Sequence, residues 1–389
     1  MPEEIVLLSA VRTPVGKFGH AFKDISAPQL GAVVIKEAIR RAGIQVQQLN
    51  EVIMGNVISA GLGQNPARQA SIYAGVPVEV GAFTVNKVCG SGLRTVMLAA
   101  QIIKAGDADI IVAGGMENMS ASPHLIRSLR WGMKFGDTSV TDAMIYDGIW
   151  DVYNNFHMGV TGELVAQKYS ITRKEADEFS LMSHRKATHA TKSGKFKEEI
   201  VPVEAQGISI EKDEGIREDT SLEKLSKLPP MFKKDGILTA GNSSQLSDGA
   251  AALVVASARK AEELGVKPVG RIIGYEIGGT KPADLMEAPI HTVKRLLRKT
   301  ELTLDDIDLI EHNEAYATAS IAVSKALDID PEKFNVHGGA VALGHPIGCS
   351  GARILVTLLH ALKDRGLTRG LATLCIGGGN ALAMIIERE

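Results

Sequence analysis

The sequence predicts an α/β protein made of two similar halves with a segment inserted between them. Three observations support this fold class: short apolar runs alternate with amphipathic stretches, the order of the first half recurs near the C-terminus, and residues 120–248 interrupt the alternation. The 389 residues also exceed what one hydrophobic core usually organises. We therefore expect two βαβ-type core domains, each with a mostly parallel sheet covered by helices.

The break in the alternation gives the expected domain boundaries. Residues 1–119 together with 249–271 form the N-terminal core domain, 120–248 the inserted domain and 272–389 the C-terminal core domain. The insertion contains charge-rich stretches such as KSGKFKEEI, in which acids and bases nearly balance. Balanced charge is typical of a solvated surface, so no dedicated basic patch is predicted there.

Local signals place the main elements in order. Ser26-Ala27-Pro28-Gln29 has the pattern of a capping box with proline in the first turn, and the helix that it opens should stop at Gly43. An apolar segment, 83–88, leads into a second helix that begins near Gly90. The runs 110–113 and 371–376 are short, apolar and followed by glycines, as expected for strands buried on both faces.

The internal repeat is clearest in the helix after the first cysteine. CGSGLRTVMLAAQIIKAG (89–106) has its counterpart in CSGARILVTLLHALKDRG (349–366). The alignment, with one gap, pairs Ser91, Gly92, Arg94 and Gly106 with Ser350, Gly351, Arg353 and Gly366. NEVIMGN (50–56) is likewise echoed by DLIEHN (308–313). Two halves of similar order are the simplest explanation.

Composition and charge exclude several classes of function. The net charge of −2 provides no field for nucleic acid or an anionic membrane, and no apolar run is long enough to cross a bilayer. Three cysteines without CxxC spacing indicate neither a disulfide framework nor a zinc site. The start, MPEEIVLLSA, has the wrong order for a signal peptide, so a cytoplasmic location is expected.

Cys89 and His345 are candidates for nucleophilic chemistry. Cys89 lies where a strand-like segment meets a helix, and free backbone N–H groups together with the helix dipole would favour its thiolate. His345 lies in a turn between Gly344 and Pro346, and we expect it to act as a general base with a near-neutral pKa. The structural alternatives are a buried cysteine and a core histidine, and His337 fits the second better.

Cys375 lies near the end of one predicted strand, and Asn313 follows another. Cys375 lies near the end of a buried run, just before three glycines whose N–H groups could form an oxyanion hole. Cys349 aligns one step from Cys89 and is predicted to be structural. Asn313 could orient a water or polarise a carbonyl, or it could cap the next helix, and Glu314 carries the same ambiguity. No stretch matches the dinucleotide motif G-x-G-x-x-G, and no metal-ligand spacing occurs.

These residues belong to a longer series of motifs that resembles the thiolase family, of the acetyl-CoA C-acetyltransferase type. In chain order the motifs are SAVRTPVGKFG, GQNPARQA, NKVCGSGLR, VAGGMENMS, YDGIWDVYNNFHMG, TAGNSSQLSDGAA, HNEAYA, GGAVALGHPIGCSGAR and LCIGGGNA. They extend over essentially the whole chain. The resemblance implies a thiolase-like fold of two related core domains that meet at a shared active site.

The resemblance also implies roles for individual residues. Cys89 would accept an acyl group as a thioester, His345 would take its proton, and Cys375 would act as acid and base at the carbon that forms the new bond. One oxyanion site would use His345 with a water held by Asn313. The other would use the backbone N–H groups of Cys89 and Gly377.

The insertion would be the loop domain that covers the site and holds coenzyme A. Met158, Arg217 and Ser244 are implied to line the pantetheine and nucleotide path. The family's usual Met-Gly after the three glycines is Asn380-Ala381 here, and a Met-Gly-x-Gly-Pro motif is shortened to MEAP at 286–289. Both departures are expected near the acyl pocket, where they would affect chain-length preference.

The expected function is an acetyl-CoA C-acetyltransferase that joins two acetyl-CoA into acetoacetyl-CoA. The alternatives are a broader degradative 3-ketoacyl-CoA thiolase in fatty acid metabolism, a non-catalytic acyl-CoA or lipid-binding relative, and a cysteine hydrolase. Ketoacyl-carrier-protein synthases, which use one cysteine and two histidines, are disfavoured by Cys375. We expect coenzyme A thioesters as substrates, no cofactor or metal, no nucleic-acid or membrane partner, and a homodimer or homotetramer.

Overall fold

The computed structural model describes residues 3–389. Its strands are β1 (Ile5–Arg12), β2 (Gly16–Lys17), β3 (Glu51–Gly55), β4 (Gly81–Val85), β5 (Ile110–Asn118), β6 (His124–Leu125), β7 (Thr141–Asp142), β8 (Trp150–Asp151), β9 (Phe156–His157), β10 (Val203–Ala205), β11 (Ile208–Ile210), β12 (Ser247–Ser257), β13 (Gly270–Gly279), β14 (Leu309–His312), β15 (Arg369–Ile376) and β16 (Asn380–Arg388). Its helices are α1 (Ala27–Ala42), α2 (Pro66–Tyr73), α3 (Ser91–Ala105), α4 (Gly159–Lys168), α5 (Arg173–Lys192), α6 (Leu222–Ser226), α7 (Ala258–Glu263), α8 (Ala288–Thr300), α9 (Ala317–Leu327), α10 (Ala340–Leu343) and α11 (Ile347–Arg365).

One large mixed sheet runs through both halves of the molecule. Its strand order is β14-β15-β16-β13-β1-β12-β5-β3-β4, and β2 adds to β12. The halves join at a short pairing of β1 with β13, in which Val6 faces Arg271 and Leu7 faces Gly270. The repeat seen in the sequence is also visible in the strand order, because β3, β5, β12 and β1 correspond to β14, β15, β16 and β13.

The expectation of a mostly parallel sheet is wrong. In the large sheet, parallel pairing is confined to β3 with β4, β3 with β5, and β14 with β15. The other pairings are antiparallel. The connections explain this, since a parallel pair needs a crossover helix. β15 instead turns into β16 through 377–379, and β5 reaches β12 through the insertion.

Most of the predicted elements are present. Helix α1 begins after Ser26, whose hydroxyl accepts from the N–H of Gln29 in a capping box, and ends at Gly43 with φ 67°. β5 and β15 contain the two apolar runs. The segment 83–88 differs, because β4 stops at Val85. The next residues form a turn before α3 instead of extending the strand.

Helices α3 and α11 form the buried centre of the fold. Strands of both halves pack against them in one cluster that includes Leu7, Leu93, Leu355 and Leu374. Alternate residues of β1 point the other way, where Val6 and Leu8 pack against α1. The sheet is therefore buried on both faces, as continuous apolar strands require.

The two central helices touch through a pair of repeat-related glycines. A Cβ on Gly92 would lie 2.7 Å from the nitrogen of Ala352, and a Cβ on Gly351 would lie 2.5 Å from the nitrogen of Leu93. Either side chain would therefore collide with the opposite backbone. The glycines allow the N-terminal ends of α3 and α11 to meet, which brings the loops before them together.

Residues 119–246 lie between β5 and β12 and contribute no strand to the large sheet. They contain α4, α5, α6 and three two-stranded sheets. The proposed domain boundaries at 119/120 and 248/249 stay a prediction. Among the helices of residues 3–389, none combines the length and the apolar character needed to span a bilayer.

Candidate active site

A cavity of about 400 Å³ opens where the N-terminal ends of α3 and α11 meet the insertion. Its walls include most of the residues singled out in the sequence, namely Cys89, His345, Cys375, Gly377, Met158, Arg217 and Ser244. Asn313 does not line it and lies behind His345. The fold thus brings residues from three separate parts of the chain to one site.

Cys89 is presented by a strained turn between β4 and α3. Val88, just before it, has φ 46°, which is unusual for a β-branched residue. Two contacts hold this conformation: the N–H of Val88 donates to Asn86 Oδ1 at 3.0 Å, and the hydroxyl of Ser91 donates to the carbonyl of Val88 at 2.7 Å. The turn directs the thiol into the cavity instead of along the strand.

The expectation that Cys89 favours the thiolate is wrong for the free protein. Loss of hydration raises the pKa of its thiol to about 11. Hydrogen bonds from the N–H groups of Gly377 and of Cys89 itself lower this pKa, and the nearby Glu117 carboxylate raises it. Burial outweighs the donors, so the resting group is a thiol that needs a base.

The backbone of His345 is fixed in its turn by close contacts. Its N–H donates to the carbonyl of Gln245 at 3.1 Å and to the hydroxyl of Ser247 at 3.2 Å. Gly344 has φ 115°, and a Cβ there would lie 2.2 Å from Ser247 Oγ. Only glycine fits before the histidine.

The side chain of His345 is oriented by a serine of α11. Ser350 Oγ donates to the carbonyl of Pro346 at 2.9 Å and lies 2.5 Å from His345 Nδ1. When the serine proton is on the Pro346 carbonyl, Nδ1 carries the proton of the neutral ring and donates it to Ser350. Nε2 is then left as the basic nitrogen.

The expected near-neutral pKa of His345 is also wrong. Burial, together with a smaller contribution from the guanidinium of Arg353, lowers the pKa to about 3. The resting site therefore pairs a neutral thiol with a neutral imidazole. Transfer of a proton between them would create opposite charges in a medium of low polarity, where their mutual attraction is strong.

Asn313 is not a helix cap, because α9 begins four residues later with Tyr316 at its N-cap. Its N–H donates to the carbonyl of Thr373 at 3.1 Å, and its Nδ2 lies 3.4 Å from His345 Nδ1 and 3.5 Å from Nε2. Its buried Oδ1 has no hydrogen-bond partner within residues 3–389. The amide is therefore placed beside the imidazole.

Glu314 has a structural part in this arrangement. Its carboxylate accepts hydrogen bonds from Ser183 Oγ at 2.7 Å, Asn335 Nδ2 at 2.8 Å and the N–H of Val341 at 3.1 Å. These contacts join α5, β14 and α10 behind the site. Glu314 does not line the cavity.

Cys375 lies at the end of β15 and is almost fully buried. Its Sγ lies 3.7 Å from Met286 Sδ. Burial raises the pKa of its thiol strongly, and the charge of Cys89 adds to the effect. A thiolate formed here would be a strong base.

The predicted coenzyme A residues line the cavity on the side of the insertion. The backbone of Ser244 donates to the carbonyl of Ala315 at 3.0 Å, and the N–H of Arg217 donates to His184 Nδ1 at 3.1 Å. Arg217 is partly exposed, and its guanidinium forms no ion pair with the described part of the chain. It is therefore free to meet an anionic ligand.

The two departures from the family pattern differ in their consequences. Met286 lines the cavity beside Cys375, as expected. Asn380 and Ala381 lie next to the cavity residues Cys375 and Gly377 but do not line the cavity themselves. Asn380 Oδ1 instead accepts from Lys87 Nζ at 3.3 Å, and Ala381 pairs with Cys375 in the β15–β16 hairpin.

Sequence reasoning missed Glu117, which ties the two halves together under the site. Its carboxylate accepts from the N–H of Gly348 at 2.9 Å, of Val57 at 3.1 Å and of Ile58 at 3.2 Å, and from Asn56 Nδ2 at 2.8 Å. Burial raises its pKa to about 7 despite these donors. The only signal was its place in VAGGMENMS, to which no role was given.

Ser350 and Tyr316 were also missed. Ser350 had been aligned with Ser91 in the repeat, but its contact with His345 depends on how the turn folds back. Tyr316 lies in HNEAYA and lines the cavity with both candidate cysteines.

Comparison with known proteins agrees with this arrangement. The thiolase N-terminal domain family matches residues 5–259 and the thiolase C-terminal domain family matches residues 266–388. The acetyl-CoA acetyltransferase of Cupriavidus necator is 53% identical over 99% of this chain and 100% of its own length. That of Syntrophomonas wolfei is 53% identical over the full length of both.

Further relatives extend the comparison. A Staphylococcus aureus protein named "Probable acetyl-CoA acyltransferase" is 51% identical over 99% of both chains. The crystal structure of the Bacillus anthracis acetyl-CoA acetyltransferase superposes with a TM-score of 0.97 at 42% identity, covering 100% of this chain and 99% of that one. The predicted thiolase-like fold is therefore confirmed. The chain belongs to the thiolase family.

Proposed function

We propose that this chain is an acetyl-CoA C-acetyltransferase, which condenses two acetyl-CoA into acetoacetyl-CoA and free coenzyme A and also runs in reverse. The convergence of Cys89, His345 and Cys375 on one cavity carries the proposal. Claisen chemistry needs a covalent acyl carrier and a separate proton-transfer group, and two thiols with one imidazole supply both. The names of the full-length relatives also support it.

In the first half-reaction Cys89 becomes acylated. Its sulfur attacks the thioester carbon of acetyl-CoA while His345 Nε2 takes the thiol proton. The tetrahedral intermediate collapses, the bond to coenzyme A breaks, and the imidazolium returns the proton to the departing thiolate. The N–H groups of Cys89 and Gly377, which lie close enough to the sulfur to lower its pKa, would stabilise the oxyanion.

In the second half-reaction Cys375 provides the base. His345, neutral again, accepts the Cys375 proton, and the thiolate removes a proton from C2 of the second acetyl-CoA. The resulting enolate attacks the acetyl carbon on Cys89 and releases a thiolate, which the imidazolium protonates. His345 and Asn313 would stabilise the enolate oxygen. All three groups end as they began.

The substrates carry the reacting acyl groups, so we propose no resident cofactor or metal. Arg217, without an ionic partner among the described residues, would meet the phosphates of coenzyme A, with Met158 and Ser244 along the pantetheine. We further propose a cytoplasmic protein without a nucleic-acid or membrane partner.

We also propose a homodimer or homotetramer. Two features support it: β4 is an edge strand that pairs only with β3 among the described residues, and the insertion exposes Trp131 and Phe135, which are 83% and 103% exposed. Light scattering after size-exclusion chromatography tests this, and a monomer at micromolar concentration would contradict it.

A broader 3-ketoacyl-CoA thiolase is the second candidate, because one relative is named an acyltransferase without reference to acetyl transfer and because the shortened MEAP segment reaches the cavity wall at Met286. A non-catalytic acyl-CoA-binding protein and a cysteine hydrolase are the alternatives from other classes.

Thiolysis of acetoacetyl-CoA separates these candidates. We expect coenzyme A-dependent loss of acetoacetyl-CoA with two acetyl-CoA formed per turnover, and no acetate. Release of acetate without coenzyme A would indicate a hydrolase. Binding without turnover of acetoacetyl-CoA or of longer 3-ketoacyl-CoA would indicate the non-catalytic relative.

A further inference from the structure

Tyr316 places a phenol group in the wall of the cavity without a hydrogen-bond partner. The residue is 8% exposed and lines the cavity together with Cys89 and Cys375. Its hydroxyl forms no hydrogen bond with any residue that the structure describes, whereas the hydroxyl of Tyr169, in the same apolar cluster, bonds to Glu287 Oε2 at 3.1 Å. Buried tyrosine hydroxyls normally find a partner.

The ring of Tyr316 cannot turn away to find one. Phe232 packs edge-on against it with ring centroids 5.7 Å apart. Its backbone bridges to Ser243, and a Cβ on Gly162 would lie 3.2 Å from its Cγ. Because Gly162 has no side chain, the ring packs directly against it. This close packing holds the ring in place.

The hydroxyl lies within the electrostatic range of both thiols. Burial raises the pKa of Tyr316, and the charges of Cys89 and Cys375 raise it further, so the group is a neutral phenol. It bonds to neither sulfur. The cavity that Tyr316, Cys89 and Cys375 line together is open to a ligand or to water.

The proposed reaction requires the acyl group to occupy this space. The carbonyl carbon on Cys89 must bond to the C2 carbon beside Cys375, so the acyl chain starts between the two sulfurs. The other side chains that cluster with Cys375 here are apolar, including Leu285, Met286 and Phe232. Tyr316 adds a hydroxyl to this apolar cluster, and the hydroxyl-bearing Ser243 and Ser244 also line the cavity.

We propose that the Tyr316 hydroxyl selects a two-carbon acyl group on Cys89. This inference rests on the proposed function. An acetyl group leaves room for a water on the hydroxyl, whereas a longer chain puts methylene groups there and leaves a buried hydroxyl unpaired. A site discriminates strongly against a ligand that leaves one of its polar groups without a partner. We therefore expect the hydroxyl to favour acetyl over a longer acyl group by about tenfold.

The variant Tyr316→Phe keeps the ring and removes only the hydroxyl. The two substrates to compare are acetoacetyl-CoA, which leaves acetyl on Cys89, and 3-ketohexanoyl-CoA, which leaves butyryl. In the variant we expect kcat/KM for the longer substrate to rise about tenfold relative to the shorter. Tyr169→Phe, which removes a bonded hydroxyl outside the cavity, should leave the ratio unchanged.

Acylation of Cys89 by acetyl-CoA and butyryl-CoA, followed by intact mass, gives the same comparison without turnover. The measured quantity is the rate of butyrylation divided by the rate of acetylation. The proposal would be overturned if this ratio in Tyr316→Phe stayed within twofold of the parent value, or if Tyr169→Phe changed it equally. If neither acyl-CoA acylates the parent protein, the proposed function itself fails. The two failures are thus distinguishable.

Discussion

The loops before α3 and α11, with the helix ends that follow them, allow a direct comparison of the two halves of the molecule. Ser91 and Gly92 at the start of α3 correspond to Ser350 and Gly351 near the start of α11, and each glycine touches the opposite helix in the same way. The first loop offers a thiol to the cavity, whereas the second offers an imidazole. The same framework therefore holds the two partners of the proposed proton transfer.

The difference lies in what each serine does. Ser91 Oγ accepts from the N–H of Lys87 at 2.9 Å and donates to the carbonyl of Val88, so it holds the turn before Cys89. Ser350 Oγ bonds to a backbone carbonyl and to the ring of His345. One copy of the repeat uses its serine to hold backbone, and the other uses it to orient the side chain of His345.

Cys89, in the turn before α3, and Cys349, in the first turn of α11, are also expected to differ, and substituting Cys89 has the largest expected effect. Cys89→Ala should lower turnover at least about 10³-fold, because the acyl carrier is lost, while the protein stays folded. Cys349→Ala, one step away in the repeat and 1% exposed, should keep activity and lose about 1 kcal/mol of unfolding free energy. Turnover and urea unfolding measure both. Normal turnover by Cys89→Ala would refute the assignment of the nucleophile.

The close contact of Gly92 and Gly351 with the opposite helix is the feature in which the two halves are most alike. Gly351→Ala and Gly92→Ala should each lower the free energy of unfolding by about 3 kcal/mol, because the new Cβ meets backbone. Gly43→Ala serves as control, since its Cβ would meet nothing within 4 Å and only the positive φ is strained. Equal losses in all three variants would show that the helix crossing is not tight.

Alkylation of Cys89 and of Cys349 should also differ in its response to pH. With the pKa of Cys89 near 11, its thiolate fraction rises about tenfold per pH unit between pH 7 and pH 9, and alkylation by iodoacetamide should rise with it. Cys349, whose pKa burial raises to about 12, should stay unmodified in the folded protein. Peptide mapping of each cysteine checks this. An alkylation rate of Cys89 that is already constant at pH 7 would mean a stable resting thiolate.

The smallest expected effect comes from the serines. Ser350→Ala removes the acceptor that fixes His345 Nδ1–H, and kcat should fall about tenfold with an altered pH profile. Ser91→Ala should lower stability without moving the pH profile, since its bonds are to backbone. A pH profile that moves equally in both variants would remove the distinction between the two copies.

Much of the fold could be predicted because its signals are local. The capping box at Ser26, the glycine stop at Gly43 and the apolar strands each depend on neighbouring residues. The strand directions could not be predicted, because β12 and β16 are apolar runs whose orientation depends on their connections. The joining of two expected sheets at β1 and β13 is likewise a long-range contact.

The sequence predicted which residues lie at the site, but it did not predict their ionisation states. Motifs located Cys89, His345 and Cys375, and their roles stay a prediction. The ionisation of Cys89 and His345 could not be read from the sequence, because desolvation depends on the packing of three chain segments. The partners Ser350 and Glu117 are contacts across turns and between halves, which no local pattern encodes.

Intact mass after brief exposure to acetoacetyl-CoA without free coenzyme A tests the acyl-carrier role of Cys89 most directly. We expect a gain of one acetyl group, located by peptide mapping to the peptide that holds Cys89, absent in Cys89→Ala, and removed when coenzyme A is added. An unchanged mass with acetoacetyl-CoA and with longer 3-ketoacyl-CoA substrates would contradict covalent catalysis by Cys89.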